Sequence, residues 1–203
     1  MNNRLQELLT RIKLLEEELL VELQKKEEEY YYEIRDKKVL FQQEIKEQNR
    51  RLAKTIHHYL GDAAFLNVLT VPVIWSCLLP ALFLDLVASL FQRICFPVYG
   101  IPRVQRSDYI VIDRQYLSYL NWIEKINCCY CGYFNGLIGY VQEIAGRTEQ
   151  YWCPIKHAHR TRQSHSRYKN FLDYGDAEGF REKSATIRKE FDDIRSARSD
   201  KNL

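Results

Sequence analysis

Residues 63–84 read AAFLNVLTVPVIWSCLLPALFL and contain no Lys, Arg, Asp or Glu. About 20 apolar residues suffice to cross a bilayer as a helix, and core helices of soluble proteins rarely stay uncharged for so long. Asp85 follows, then LVASLFQ, and Arg93 closes the run. Residues 63–96 are therefore expected to form a membrane segment. Two geometries fit: one helix kinked at Pro72 or Pro80, or a hairpin with Pro80 at its apex. Arg50, Arg51 and Lys54 precede the segment; Arg93, Arg103 and Arg106 follow it. Positive charge beside a span favours the cytoplasmic side, so basic flanks at both ends favour the hairpin, with the soluble parts cytoplasmic. An acid inside a span is normally a mark of function, and Asp85 reads either that way or as a residue at the interface or shielded between hairpin arms. In Cys95-Phe-Pro-Val-Tyr-Gly-Ile-Pro102, Phe96 and Tyr99 read as interface anchors at the membrane exit.

Upstream, residues 4–58 have neither Gly nor Pro and are dense in good helix formers. Leu5, Leu8, Ile12, Leu15 and Leu19 recur at alternating spacings of three and four, the seam of a coiled coil. The phase is lost from Lys25 to Tyr32 and resumes with Ile34, Phe41, Ile45, Leu52 and Ile56, which reads as a stutter. Residues 1–62 are expected to be a coiled-coil arm, about 80 Å long over its helical part. An apolar stripe that long cannot be buried on a small domain of its own chain, so self-association or a partner helix through residues 4–58 is expected.

Downstream, residues 97–180 read as a small, mostly helical Cys/His domain and residues 181–203 as a charged C-terminal helix. Asp108-Tyr-Ile-Val-Ile-Asp113 reads as a short strand or a helix start. Helices are expected over 115–127, 134–146, 155–169 and 184–198, with Pro154 opening the third and a turn at 173–179. Gly136 and Gly139 read as points of close backbone packing.

The chemistry-bearing pattern is Cys128-Cys-Tyr-Cys131-Gly132, with Cys153-Pro-Ile-Lys-His157 following 22 positions after Cys131. A C-x-x-C turn supplies two thiolates, and a Cys at a helix start with His one turn later supplies two more ligands. Cys128, Cys131, Cys153 and His157 are the expected ligands of a closed structural site, with zinc the expected metal and iron the alternative. Cys129, His159 and His165 compete as ligands. An open position would make the ion catalytic, with Glu143 or Glu149 as base. The basic stretch from Lys156 to Lys169 reads as a solvated face or as a surface for lipid headgroups or a phosphorylated ligand. A net charge of +3 supplies no field for nucleic acid, which is not an expected partner. No HExxH, GxSxG, Walker A or GxGxxG motif is present.

CFPVYGIPRV (95–104), DYIVIDR (108–114), NCCYCGYFNG (127–136), RTEQYWCPIKH (147–157) and DYGDAEG (173–179) together resemble an uncharacterised family of bacterial membrane proteins. The resemblance implies an address in the bacterial cytoplasmic membrane and implies no mechanism. The expectation is a mainly α, membrane-anchored scaffold or interaction protein with a Cys3His site. The alternatives are a metal- or thiol-dependent enzyme at the membrane face and a metal or redox sensor.

Overall fold

The computed structural model describes residues 3–30, 32–35, 38–53, 55, 65–159, 161 and 164–195. It is mainly helical, with α1 (Asn3–Glu29), β1 (Tyr32–Arg35), β2 (Lys38–Phe41), α2 (Gln43–Arg51), α3 (Phe65–Ser76), α4 (Leu78–Tyr99), α5 (Trp122–Trp152) and α6 (Ala177–Ile187). The chain divides into two compact units, residues 1–62 with 113–129, and residues 63–112 with 130–203.

In the first unit the continuous arm helix is not formed. α1 ends at Glu29, and β1 pairs antiparallel with β2, placing Tyr32 opposite Phe41 and Ile34 opposite Val39. YYYEIR and KVLF concentrate aromatic and β-branched residues, which fit a pleated surface better than a helix. The Tyr32 and Phe41 rings lie 5.7 Å apart as a cross-strand pair. The loss of heptad phase marks the end of a helix, not a stutter. Ile56 and the two histidines beside it lie outside the described residues. α5 starts at Trp122, later than the expected 115, because Asn121 caps it. Its Oδ1 accepts the Glu124 N–H at 3.0 Å and the Glu124 carboxylate accepts the Asn121 N–H at 2.9 Å.

In the second unit the apolar stretch does not turn back at Pro80. Cys77 keeps helical dihedrals (φ −63°, ψ −17°) between α3 and α4, and Val68–Tyr99 is long and apolar enough to cross a membrane. Pro80 lacks an N–H, so it removes the bond that the Ser76 carbonyl would accept, and the helix is interrupted there. Gly100, at φ 69°, ends α4 in the left-handed conformation that glycine adopts without penalty.

α4 and α5 run parallel. Asp85 meets Tyr133 and Gln92 meets Tyr140, each pair separated by 48 positions. Two parallel helices need a return connection. Residues 100–112 supply it, passing Val104 beside Gln92, Arg106 beside Asp85 and Ile110 beside Gly136. The expected strand or helix start at 108–113 is instead this irregular return chain, with a short 3-10 turn at Arg106–Asp108.

The two helices expected at 115–127 and 134–146 are one, α5, and its glycines serve the return chain. A Cβ on Gly136 would stand 2.6 Å from the Tyr109 carbonyl oxygen and 2.8 Å from the Ile110 Cα. Ala81, Ala88, Phe96, Leu137, Tyr140, Ile144 and Phe191 form the core around this seam. Phe96 is wholly buried there, so it is a core residue and not an interface anchor.

No α-helix forms over 155–169 among the described residues, where the only helical turn is a 3-10 one at Tyr168–Asn170. Ile155 bridges Leu172, with the Lys156 N–H donating to Leu172 O at 2.7 Å and the Leu172 N–H to Pro154 O at 2.9 Å. These pairings take the backbone groups a helix would use. α6 begins at Ala177, inside the expected turn, because the Asp176 carboxylate accepts the Gly179 N–H at 2.8 Å.

Gly136→Ala should destabilise the second unit by about 1–3 kcal/mol, since backbone on the return chain cannot yield as a side chain can. Gly139→Ala meets only the Tyr109 ring, at 3.3 Å, and should cost less. Thermal unfolding followed by near-ultraviolet circular dichroism distinguishes the two; equal midpoints would remove the close-approach explanation.

Candidate functional site

The polar residues of the second unit are collected on one seam. On α4, Asp85, Ser89 and Gln92 recur at spacings of four and three. On α5, Tyr133, Gly136, Tyr140, Glu143, Arg147 and Gln150 recur at three and four. Both are the spacing of a packed helix face. Tyr140, Glu143, Arg147 and Gln150 are all buried.

Asp85 is the centre of the first cluster. Its Oδ2 accepts from Arg106 Nη2 at 2.6 Å and from the Tyr133 hydroxyl at 2.9 Å, and its Oδ1 accepts from Ser89 Oγ at 3.3 Å. The Asp85 side chain is 13% exposed and that of Arg106 is 50% exposed. Arg106 is therefore the counter-ion of Asp85, and its place in a basic flank says nothing about topology. Ser89 Oγ lies 3.2 Å from the Tyr140 hydroxyl, which Gln92 Nε2 also contacts. Gln92 Oε1 accepts the Val104 N–H at 2.9 Å and its Nε2 donates to the Val104 carbonyl at 3.4 Å. The side-chain amide thus pairs with the return chain as a strand neighbour would.

The second cluster continues up α5. Arg147 Nε donates to Glu143 at 2.8 Å, and its Nη1 donates to the carbonyls of Pro102 at 2.7 Å and Arg103 at 3.2 Å. Ser166 Oγ donates to the other Glu143 oxygen at 2.7 Å, while His165 Nε2 lies 3.1 Å from Glu149. Hydroxyl and imidazole are thus engaged by different carboxylates, not by each other. Glu143 and Glu149, the expected bases, are both occupied.

Arg167 is 1% exposed. It donates through Nε to Gln150 at 2.5 Å, through Nη1 to Asp193 at 2.6 Å and through Nη2 to the Glu190 carbonyl at 2.9 Å. Burial alone would raise the Asp193 pKa, but the Arg167 hydrogen bond and charge, with the Ile194 N–H, hold it below the ordinary aspartate value.

The expected metal ligands do not converge. Cys128 and Cys131 lie one turn apart inside α5, not in a knuckle, and Cys153 follows the last residue of the same helix. From Cys131 to Cys153 the helix covers about 33 Å at 1.5 Å per residue. His157 follows Cys153 in irregular chain and stacks on Tyr168 at 6.2 Å. Among the described residues no three of His, Cys, Asp and Glu gather as a metal group. The misleading signal was spacing along the chain, which equals spacing in space only if the intervening residues fold back.

Sequence reasoning noted Asp85 and Arg106 separately and missed the seam. Its signal was the three-four recurrence from Tyr133 to Gln150, hidden because the recurring residues are polar or glycine. No protein-family model, no curated protein and no solved structure matches the chain.

Arg106→Ala strands a largely buried carboxylate and should cost on the order of 1–3 kcal/mol, whereas Asp85→Asn keeps an oxygen that can accept from Arg106 and Tyr133 and should cost less. Chemical denaturation of the two variants tests the asymmetry. Because the folded Asp193 pKa is depressed, its contribution is present above the ordinary value of 3.8 and is lost as pH falls through the folded value. Asp193→Asn should flatten that acid limb of the stability curve and leave the neutral region sloping as in the parent.

Proposed function

We propose that this chain is a membrane-anchored scaffold or interaction protein, held in the bilayer by α3 and α4 and offering α1 to a second helix. The observation that carries the reading is exposure. Only 11% of the most apolar window of Val68–Tyr99 is buried, where a core helix of a soluble protein would be mostly covered. Leu79, Phe83 and Val98 are 73%, 68% and 77% exposed. The polar residues of α4 face α5 instead, the arrangement of ionisable groups within membrane bundles.

Aromatic pairs stand at both ends. Trp75 lies 5.1 Å from Tyr130, and Tyr99 lies 4.9 Å from Tyr151 and 5.5 Å from Trp152. From Trp75 to Tyr99 a helix covers about 36 Å, and a hydrocarbon core of about 30 Å fits between such belts. The bacterial cytoplasmic membrane is the compartment we assign, on the resemblance given above. On α1, Ile12, Leu15 and Leu19 keep their coiled-coil spacing and are exposed, with Leu14, Leu20 and Leu23 widening the surface. A second α1 or a partner helix would cover it.

Two expectations follow. Full-length protein should float with phosphatidylglycerol-containing vesicles and stay with them after a high-salt wash; a detergent-free soluble form would overturn the anchor. Leu15→Glu with Leu19→Glu should reduce chemically cross-linked oligomers several-fold without changing flotation, and an unchanged cross-linking pattern would remove α1 as the association surface.

A further inference from the structure

An apolar groove of about 660 Å³ runs between α4 and α5. That volume lies in the range of ligand sites, roughly 300–1,000 Å³. Leu84, Val87 and Phe91 of α4 form one wall; Val141, Ala145 and Trp152 form the other.

Location, length and charge indicate what fills it. Leu84 and Val87 belong to the exposed apolar face of α4 assigned above to the bilayer, so the groove opens into hydrocarbon. Its α5 wall, from Val141 to Trp152, covers about 16 Å, close to half of a core about 30 Å thick. That is the depth of one leaflet. At the Trp152 end stand the rings of Tyr99, Tyr151 and Trp152, residue types that collect at headgroup level.

A cation stands at the same end. Arg188 Nη2 donates to the Trp152 carbonyl at 3.3 Å, and Arg188 Nε is buried without a hydrogen-bond partner among the described residues. The guanidinium is thus incompletely satisfied by the chain itself. The acid at this end, Glu149, is paired with His165 at 3.1 Å. An apolar trough one leaflet deep with a cation at its headgroup end is complementary to a lipid whose head carries a phosphate.

We propose that this groove holds one acyl chain of an anionic phospholipid, with Arg188 receiving the phosphate. The proposal rests on the membrane reading, so the test separates the two. Trp75→Phe with Trp122→Phe leaves Trp152 as the only tryptophan. This protein is reconstituted in phosphatidylcholine vesicles doped with chain-brominated phosphatidylglycerol, and Trp152 quenching is followed against the brominated fraction.

The expected result is a saturable quenching component at low fraction. It should weaken about tenfold for brominated phosphatidylcholine, and by a similar factor in Arg188→Gln, a partly exposed position that should not disturb folding. Ala145→Phe fills the exposed side of the groove and should abolish the saturable component while flotation and circular dichroism stay unchanged. Flotation with quenching that merely follows the bulk brominated fraction in parent and variants alike would overturn the groove and leave the anchor standing. Failure to float would overturn both. An intact mass raised by an acyl group and restored by hydroxylamine would instead put a thioester-linked chain on Cys153, and would overturn the bound phospholipid.

Discussion

The second unit depends on how it treats a stretch of backbone that is neither helix nor sheet. Parallel packing of α4 and α5 obliges residues 100–112 to run back between their ends, and an irregular chain carries peptide groups that need partners. The helices provide them. Gln92 takes both polar groups of Val104, and Arg147 takes the carbonyls of Pro102 and Arg103. Gly136 removes the side chain that would hold Tyr109 and Ile110 away from α5. In an apolar setting these pairings matter more, because an unsatisfied peptide group has no water to turn to.

The same device recurs one turn further along α5. Gln150 Nε2 donates at 2.8 Å to the carbonyls of Ile187 and of Glu190, and Arg167 shares the Glu190 carbonyl while its guanidinium lies over the Phe191 ring. Phe191 is wholly buried, so the chain beyond α6 joins the core by an aromatic plug whose backbone is held by side-chain amides and a guanidinium. Buried Gln and Arg on this helix serve the loops packed on it, a structural use that accounts for their burial without any ligand.

Patterns that depend only on near neighbours were legible. The apolar run from Ala63 to Leu84, the helicity of α1, and the close packing at Gly136 follow from composition and local sterics. Features decided by distant partners were not. The Cys and His residues looked like a metal set because Gly132 after Cys131 suggested a turn. Gly132 instead sits inside α5, against the Val111 carbonyl of the return chain, and that continuity carries Cys153 to the far end of a helix. Pro154 looked like a helix start, but pairing with Leu172 claimed its neighbourhood. The aromatic triplet at Tyr30–Tyr32 was a local signal for a strand, outweighed by the length of the helical pattern around it.

The polar seam also answers a question that apolar packing leaves open. Contacts such as Ala88 and Phe96 against Leu137 and Ile144 are non-directional, and a slide of α4 by one turn, about 5.4 Å, would exchange one set of them for another. Asp85 with Tyr133 and Gln92 with Tyr140 share the offset of 48 and are satisfied together at that register alone. Slid by a turn, Asp85 would lose Tyr133 and Arg106 together, and Val104 would lose both bonds to Gln92. A buried ion pair adds little net stability over apolar residues of the same volume, and fixing register is its best-supported use. On this reading Asp85, the one acidic residue of α4, allows only one alignment of α4, the return chain and α5.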